Sequence, residues 1–111
     1  MTAPVPSVQG MFPARFAVIS ENTIGDQEVL AAVPGRKIRV LHYTLVAAAA
    51  VTVIWKSGSV AISGSMPRGA DAGMAPTCEV GLFETAPGAN LVLNLSGSVA
   101  VGGHLTYVLI P

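Results

Sequence analysis

The chain has 111 residues, the length of a single domain. Hydrophobic residues make up 51 % of it and charged residues 11 %, which excludes a disordered polyelectrolyte, since disorder requires low hydrophobicity and high net charge. Six Lys/Arg balance six Asp/Glu, so there is no basic field to gather nucleic acid, and a lone cysteine, Cys78, excludes an intrachain disulfide and every multi-Cys zinc motif.

Residues 1–13, MTAPVPSVQGMFP, carry three prolines, no charge and no periodicity, and are expected to form an extended arm. The domain is expected over 14–111, as short β-branched runs separated by Gly, Pro, Ser and Asn, the pattern of an all-β protein. A first strand is predicted at 14–20, with Phe16 and Val18 on one face. A second is predicted at 28–33 before the Pro34-Gly35 turn, although Asp26, Glu28 and Leu30 also suit the start of a short helix. The third, 37–46, alternates as Ile38/Val40 and then slips to Leu41/Tyr43/Leu45, which predicts a bulge or a bend between sheets. The fourth, 51–56, places Val51, Val53 and Trp55 on one face.

A fifth strand is expected at 59–63, a long polar loop at 64–75 and a weak strand at 76–83. Leu91, Leu93 and Leu95 then alternate with Val92 and Asn94 as a half-buried strand. The last strand, 99–109, places Val101, Leu105, Tyr107 and Leu109 on one face, and Gly102-Gly103 in its middle marks a bulge or a close backbone approach. SGSVAISG (57–64) and SGSVAVGG (96–103) echo each other and are expected to be two hairpins. Together these elements predict a single-domain antiparallel β-sandwich, jelly-roll-like, behind an extended N-terminal arm.

Two readings fit so small a number of charges: a β-protein with a Ser/Thr/Asn surface, or a surface largely covered by other chains. The start of the chain lacks the basic residue and apolar run of a signal peptide. The uncharged run 40–55 is shorter than the ~20 residues that cross a bilayer and includes His42 and Thr44, so no membrane association is expected.

Chemistry is sparsely represented. His42 and His104 are the candidates for acid–base work near neutrality, but no orienting acid or nucleophile accompanies them in sequence, and no metal-ligand spacing is present. Cys78 sits in PTCEV beside Glu79, a setting for an inert thiol. Glu21, Asp26, Glu28, Asp71, Glu79 and Glu84 form no recognisable catalytic pair. Asn94-Leu95-Ser96 is a formal glycosylation sequon with no secretory context. The expectation is a non-enzyme with no catalytic, metal or cofactor site and no small-molecule substrate.

Arg36, Lys37 and Arg39 form a basic cluster after the Pro34-Gly35 turn. It suits either a head-to-tail contact between copies, because the halves of the chain before and after Ser57 carry +2 and −2, or a solvated strand edge. Of the aromatics, Trp55 and Tyr107 follow core faces, which leaves Phe12 and Phe83 as candidates for exposure.

Four motifs, PGRKIRVL (34–41), KSGS (56–59), GLFET-x-PG (81–88) and GGHLTYV (102–108), resemble a group of small β-sandwich virion proteins of tailed bacteriophages and prophages, over roughly 28–109. Proteins of this kind are similar to capsid decoration (cement) proteins. The resemblance implies a virion structural protein on the capsid exterior, made in the host cytoplasm. Its implied partners are the major capsid protein and further copies of itself, with a trimer suited to threefold positions. The alternative is a tail-fibre or baseplate module that binds a host receptor or carbohydrate. The residues expected at a partner interface are Val5, Val8, Met11 and Phe12 of the arm, with Arg15, Arg36, Lys37 and Arg39.

Overall fold

The computed structural model describes residues 12–71 and 73–111. Over that range the chain forms strands β1 (Arg15–Glu21), β2 (Gly25–Leu30), β3 (Lys37–Ala47), β4 (Val51–Ser57), β5 (Val60–Ala61), β6 (Met66–Arg68), β7 (Gly73–Met74), β8 (Phe83–Glu84), β9 (Leu91–Leu95) and β10 (Val101–Ile110), with no helix among the described residues. Of the predicted arm, Phe12 and Pro13 are described; Val5, Val8 and Met11 lie outside the described residues.

The strands form two antiparallel sheets. The first has the order β1-β10-β3-β7, with β8 also on β3; the second has the order β2-β9-β4-β5, with β6 also on β4. The pairing is nested: β1 with β10, β2 with β9, β3 with β8, β4 with β5 and β6. The chain is therefore one long hairpin rolled up so that successive parts fall in alternate sheets. This is the jelly-roll arrangement of a β-sandwich.

The inner faces follow the period of two that a pleated strand imposes. Val51, Val53 and Trp55 of β4, Leu91, Leu93 and Leu95 of β9, and Val101 and Leu105 of β10 are buried, and they meet Ile19, Ile38, Val40, Tyr43, Leu45 and Ala47 of the other strands in one core. Trp55 is 0 % exposed. Its ring centroid lies 5.2 Å from that of Tyr43, edge-on, and 5.6 Å from that of Phe83, distances at which aromatic pairs attract beyond their burial. The Tyr43 hydroxyl reaches the sulfurs of Met66 and Met74, at 3.7 and 3.6 Å. Burial raises the Tyr43 pKa, opposed by the nearby Trp55 indole and Arg68, yet the indole N–H closes no hydrogen bond of normal geometry.

The predicted slip in the third strand is a bulge. Thr106 of β10 faces His42 of β3, but the next residue, Tyr107, faces Val40, so Leu41 is the extra residue. It turns to the outer side of the sheet, where it is buried with Val108 and Ile110 and covered by Phe12. The close approach expected at Gly102-Gly103 is also present. A Cβ on Gly103 would fall onto the carbonyl oxygen of Thr44 and 2.7 Å from its carbonyl carbon, whereas one on Gly102 would meet nothing closer than 3.9 Å.

Other expectations are corrected. On β1 the sequence left the inward face open, and the face that carries Phe16 and Val18 is the outer one, at 78 % and 77 % exposure, while Ala17 and Ile19 turn inward. The second strand ends where the prediction places its middle, because β2 takes its register from β9, with Asp26 opposite Asn94 and Glu28 opposite Val92. The loop 64–75 contains β6 and β7, which stitch its ends to β4 and β3. The expected strand at 76–83 reduces to a bridge between Thr77 and His42, followed by β8. Only the first of the two echoing segments is a hairpin. The second carries the chain from β9 across to β10 in the other sheet, with Ser96 Oγ accepting from the Thr52 amide at 2.8 Å and Ser98 Oγ from that of Ile24 at 3.2 Å. Phe12 and Phe83 are half-buried, so the exposed aromatic is Phe16.

Candidate functional site

The two sheets present different outer faces. On the β2-β9-β4 sheet, Lys56 Nζ reaches both oxygens of Asp26 at 3.0 and 2.9 Å, and Asn94 donates to Asp26 at 2.7 Å. The Asn94 hydrogen bond, then Lys56, hold the Asp26 carboxyl below its ordinary value. Asn90 donates to Glu28 at 3.0 Å. This face is charged: Asp26 and Lys56 form an ion pair, and the exposed Glu28 accepts from the neutral Asn90 amide.

The face of the β1-β10-β3 sheet carries no formal charge over its central rows. Reading across the strands, these are Phe16, Thr106 and His42; then Val18, His104 and Thr44; then Ser20, Gly102 and Val46. Phe16, Val18 and Val46 are exposed there. The two imidazoles stand with ring centroids 5.7 Å apart, and Thr44 Oγ1 lies 3.3 Å from His42 Nε2. Among the described residues no group of three or more His, Cys, Asp or Glu is arranged to hold a metal. A sheet face without formal charge, on which Phe16, Val18 and Val46 stand exposed among Thr, Ser and His side chains, is suited to contact with another protein surface.

The interface residues predicted from sequence separate into two places. Phe12 and Arg15, neighbours in sequence, meet the distant Arg36 with Pro13, Val33 and Leu109 around a cleft of about 500 Å³ at one end of the sandwich. Their meeting follows from the antiparallel pairing that sets Arg15 against Tyr107, near Leu109, and Lys37 against Ile110. Lys37 and Arg39 turn elsewhere, to Glu84 on β8. Arg39 Nε donates to Glu84 Oε1 at 2.8 Å and Lys37 Nζ lies 3.4 Å from Oε2. Burial acts to raise the Glu84 carboxyl, but Arg39 and Lys37 outweigh it and hold it below the ordinary Glu value. β3 lies inside its sheet, between β10 and β7/β8, so this cluster is not at a strand edge.

This uncharged face is not among the sites predicted from sequence. The available signal was β1 itself, whose run Phe16-Ala17-Val18-Ile19 is apolar on both faces, as in strands covered on both sides. Cys78 is half-buried, with its amide donating to the Leu41 carbonyl at 2.7 Å. The sequence matches no protein-family model, and no curated protein is similar enough to count as a relative.

Proposed function

We propose that this chain is a virion structural protein of a tailed bacteriophage: a non-enzymatic decoration protein that seats on the exterior of the assembled capsid and stabilises it through protein–protein contacts. The observation that carries the proposal is the uncharged outer face with Phe16, Val18 and Val46 exposed, on a domain whose other face carries Asp26, Lys56 and Glu28. Such an asymmetric surface belongs to a subunit that works against neighbours. The phage setting comes from the sequence resemblance over 28–109.

The mechanism needs no chemistry. A protein that binds only the assembled shell stabilises that state by mass action, and repetition over the lattice lets a modest contact count many times. A sugar-binding tail module is less well supported, because Trp55 and Tyr43 are core residues and the exposed large aromatic is Phe16.

The test is quantitative mass spectrometry of purified particles, with the major capsid protein as standard. A copy number close to that of the capsid protein supports the reading. A handful of copies per particle moves the chain to a vertex or the tail, and absence from particles refutes a virion role.

A further inference from the structure

The open side of the sandwich has two edge strands, and they differ. β2, the edge of one sheet, carries the acids Asp26 and Glu28 exposed along its length, the kind of charged edge that discourages pairing with another chain. β1, the edge of the other sheet, has the sequence Arg-Phe-Ala-Val-Ile-Ser-Glu, with charge only at its ends and neither Pro nor Lys to block a partner. Among the described residues its only ladder is to β10.

We infer that β1 is a self-association edge, at which a second copy of this chain adds antiparallel across a two-fold axis through Val18. The occupant follows from the arrangement of the strand. β1 runs from Arg15 to Glu21 with Val18 at its centre, so a two-fold at Val18 pairs every residue of the strand. That same register sets Arg15 of each copy opposite Glu21 of the other, giving two cross-strand pairs of opposite charge. Any shift of register leaves strand residues unpaired and separates the charges.

The side chains support the same partner. Neither Arg15 nor Glu21 has an ion-pair partner among the described residues, and burial alone pushes the Glu21 carboxyl up, a bias that the incoming Arg15 opposes. On the outer face the axis brings Phe16 of each copy diagonal to Val18 of the other, an aromatic–β-branched contact that favours pairing. The product is one continuous sheet with its uncharged outer face doubled in width. Its elementary symmetry is two-fold, in place of the trimer implied by the sequence resemblance. The inference stands apart from the capsid reading, because it concerns the isolated chain in solution.

Sedimentation velocity of the full chain, from micromolar to millimolar concentration, tests it together with charge reversal and cross-linking. The wild type is expected to form a reversible dimer. Arg15→Glu and Glu21→Arg should each weaken it by at least ~10-fold, since like charges are then opposed twice. A one-to-one mixture of the two variants restores both pairs and should dimerise again. In a Cys78→Ser background, Val18→Cys should cross-link on mild oxidation, because directly opposed residues sit ~4.5–5.5 Å apart between Cα atoms, within disulfide reach. Phe16→Cys should not, since its own copy lies ~13 Å away along the strand. Val18 and Phe16 are exposed, so both variants should melt like their parent. A monomer throughout, a trimer, a dimer indifferent to both charge reversals, or equal cross-linking at residues 16 and 18 overturns the inference.

Discussion

Gly103→Ala should be strongly damaging, and Gly102→Ala one position earlier should be harmless. Gly103 lies at φ +156° opposite Leu45 in the central β3–β10 ladder. The added methyl would overlap the Thr44 carbonyl and sit 2.7 Å from its carbon, inside the 3.0 Å that real Cβ atoms respect. Both obstacles are backbone, so relief requires the two strands to part by about 1 Å or more, beyond the ~0.5 Å over which an N–H···O bond keeps its strength. Two or three ladder bonds at ~1 kcal/mol each, with ~1–3 kcal/mol of backbone strain, sum to about 3–6 kcal/mol. A domain of this size has only ~5–15 kcal/mol in total. At ~4–8 °C per kcal/mol, a 4 kcal/mol loss lowers Tm by roughly 15–30 °C. At Gly102 the nearest atom is 3.9 Å away and removal of a strand glycine is neutral or favourable by up to ~1 kcal/mol. Thermal unfolding followed by circular dichroism compares the two, and a Gly103→Ala protein that melts within about 5 °C of wild type would refute the close-approach argument.

Trp55→Ala should cost about 3–5 kcal/mol, measured by urea unfolding, whereas Trp55→Phe should cost clearly less, because a phenyl ring still fills most of the site and the indole N–H that is lost has no hydrogen-bond partner among the described residues; a loss in Trp55→Phe as large as that in Trp55→Ala would contradict this. Glu84→Gln should cost about 1 kcal/mol, with Arg39 and Lys37 left unpaired. Because Glu84 and Asp26 are held below their ordinary values of 4.5 and 3.8, their contribution is complete at neutral pH and is lost as pH falls below those values through the lower folded ones. Stability measured from pH 6 down to 2 should therefore decline less steeply in Glu84→Gln than in wild type, and parallel curves would contradict the assignment. Phe16→Ser should change the melting temperature by no more than ~0.5 kcal/mol equivalent, since its side chain is exposed.

Local pattern carried the inner faces of β4, β9 and β10, because Val51/Val53/Trp55, Leu91/Leu93/Leu95 and Val101/Leu105 recur at a period of two while Thr52, Lys56, Asn94, His104 and Thr106 mark the opposite face; it did not show that Val92 and Val108 on that opposite face are buried as well. It carried the Leu41 bulge for the same reason: two in-phase runs, Ile38/Val40 and Tyr43/Leu45, cannot share one pleat without an extra residue. It did not say which face of β1 looks inward, since Phe16-Ala17-Val18-Ile19 is apolar on both. Nor did it show that Lys37 and Arg39 are neutralised by an acid some 45 residues away, or that Arg36 parts from them to join Arg15 and Phe12. The short strands β6, β7 and β8 were illegible because they hold no pattern of their own and exist only as extensions of β4 and β3. The two Ser-Gly-Ser-Val-Ala segments have the same local chemistry and different fates, one turning back on its own strand and the other crossing between sheets.

The nested pairing bears on how the molecule comes into being. β10 follows β1 and β3 in the chain, yet it lies between them in its sheet, so neither has its proper neighbour until β10 is free to join. β1 must wait for β10, and the ladder they form closes the rest of the sandwich into one loop. Domains built on such distant pairings fold slowly, in milliseconds to seconds, and a chain cut short before β10 has no route to half of its sandwich. The outer face shared by β1, β10 and β3 therefore forms only once β10 has joined its sheet, so the surface at which copies are proposed to meet is absent until then.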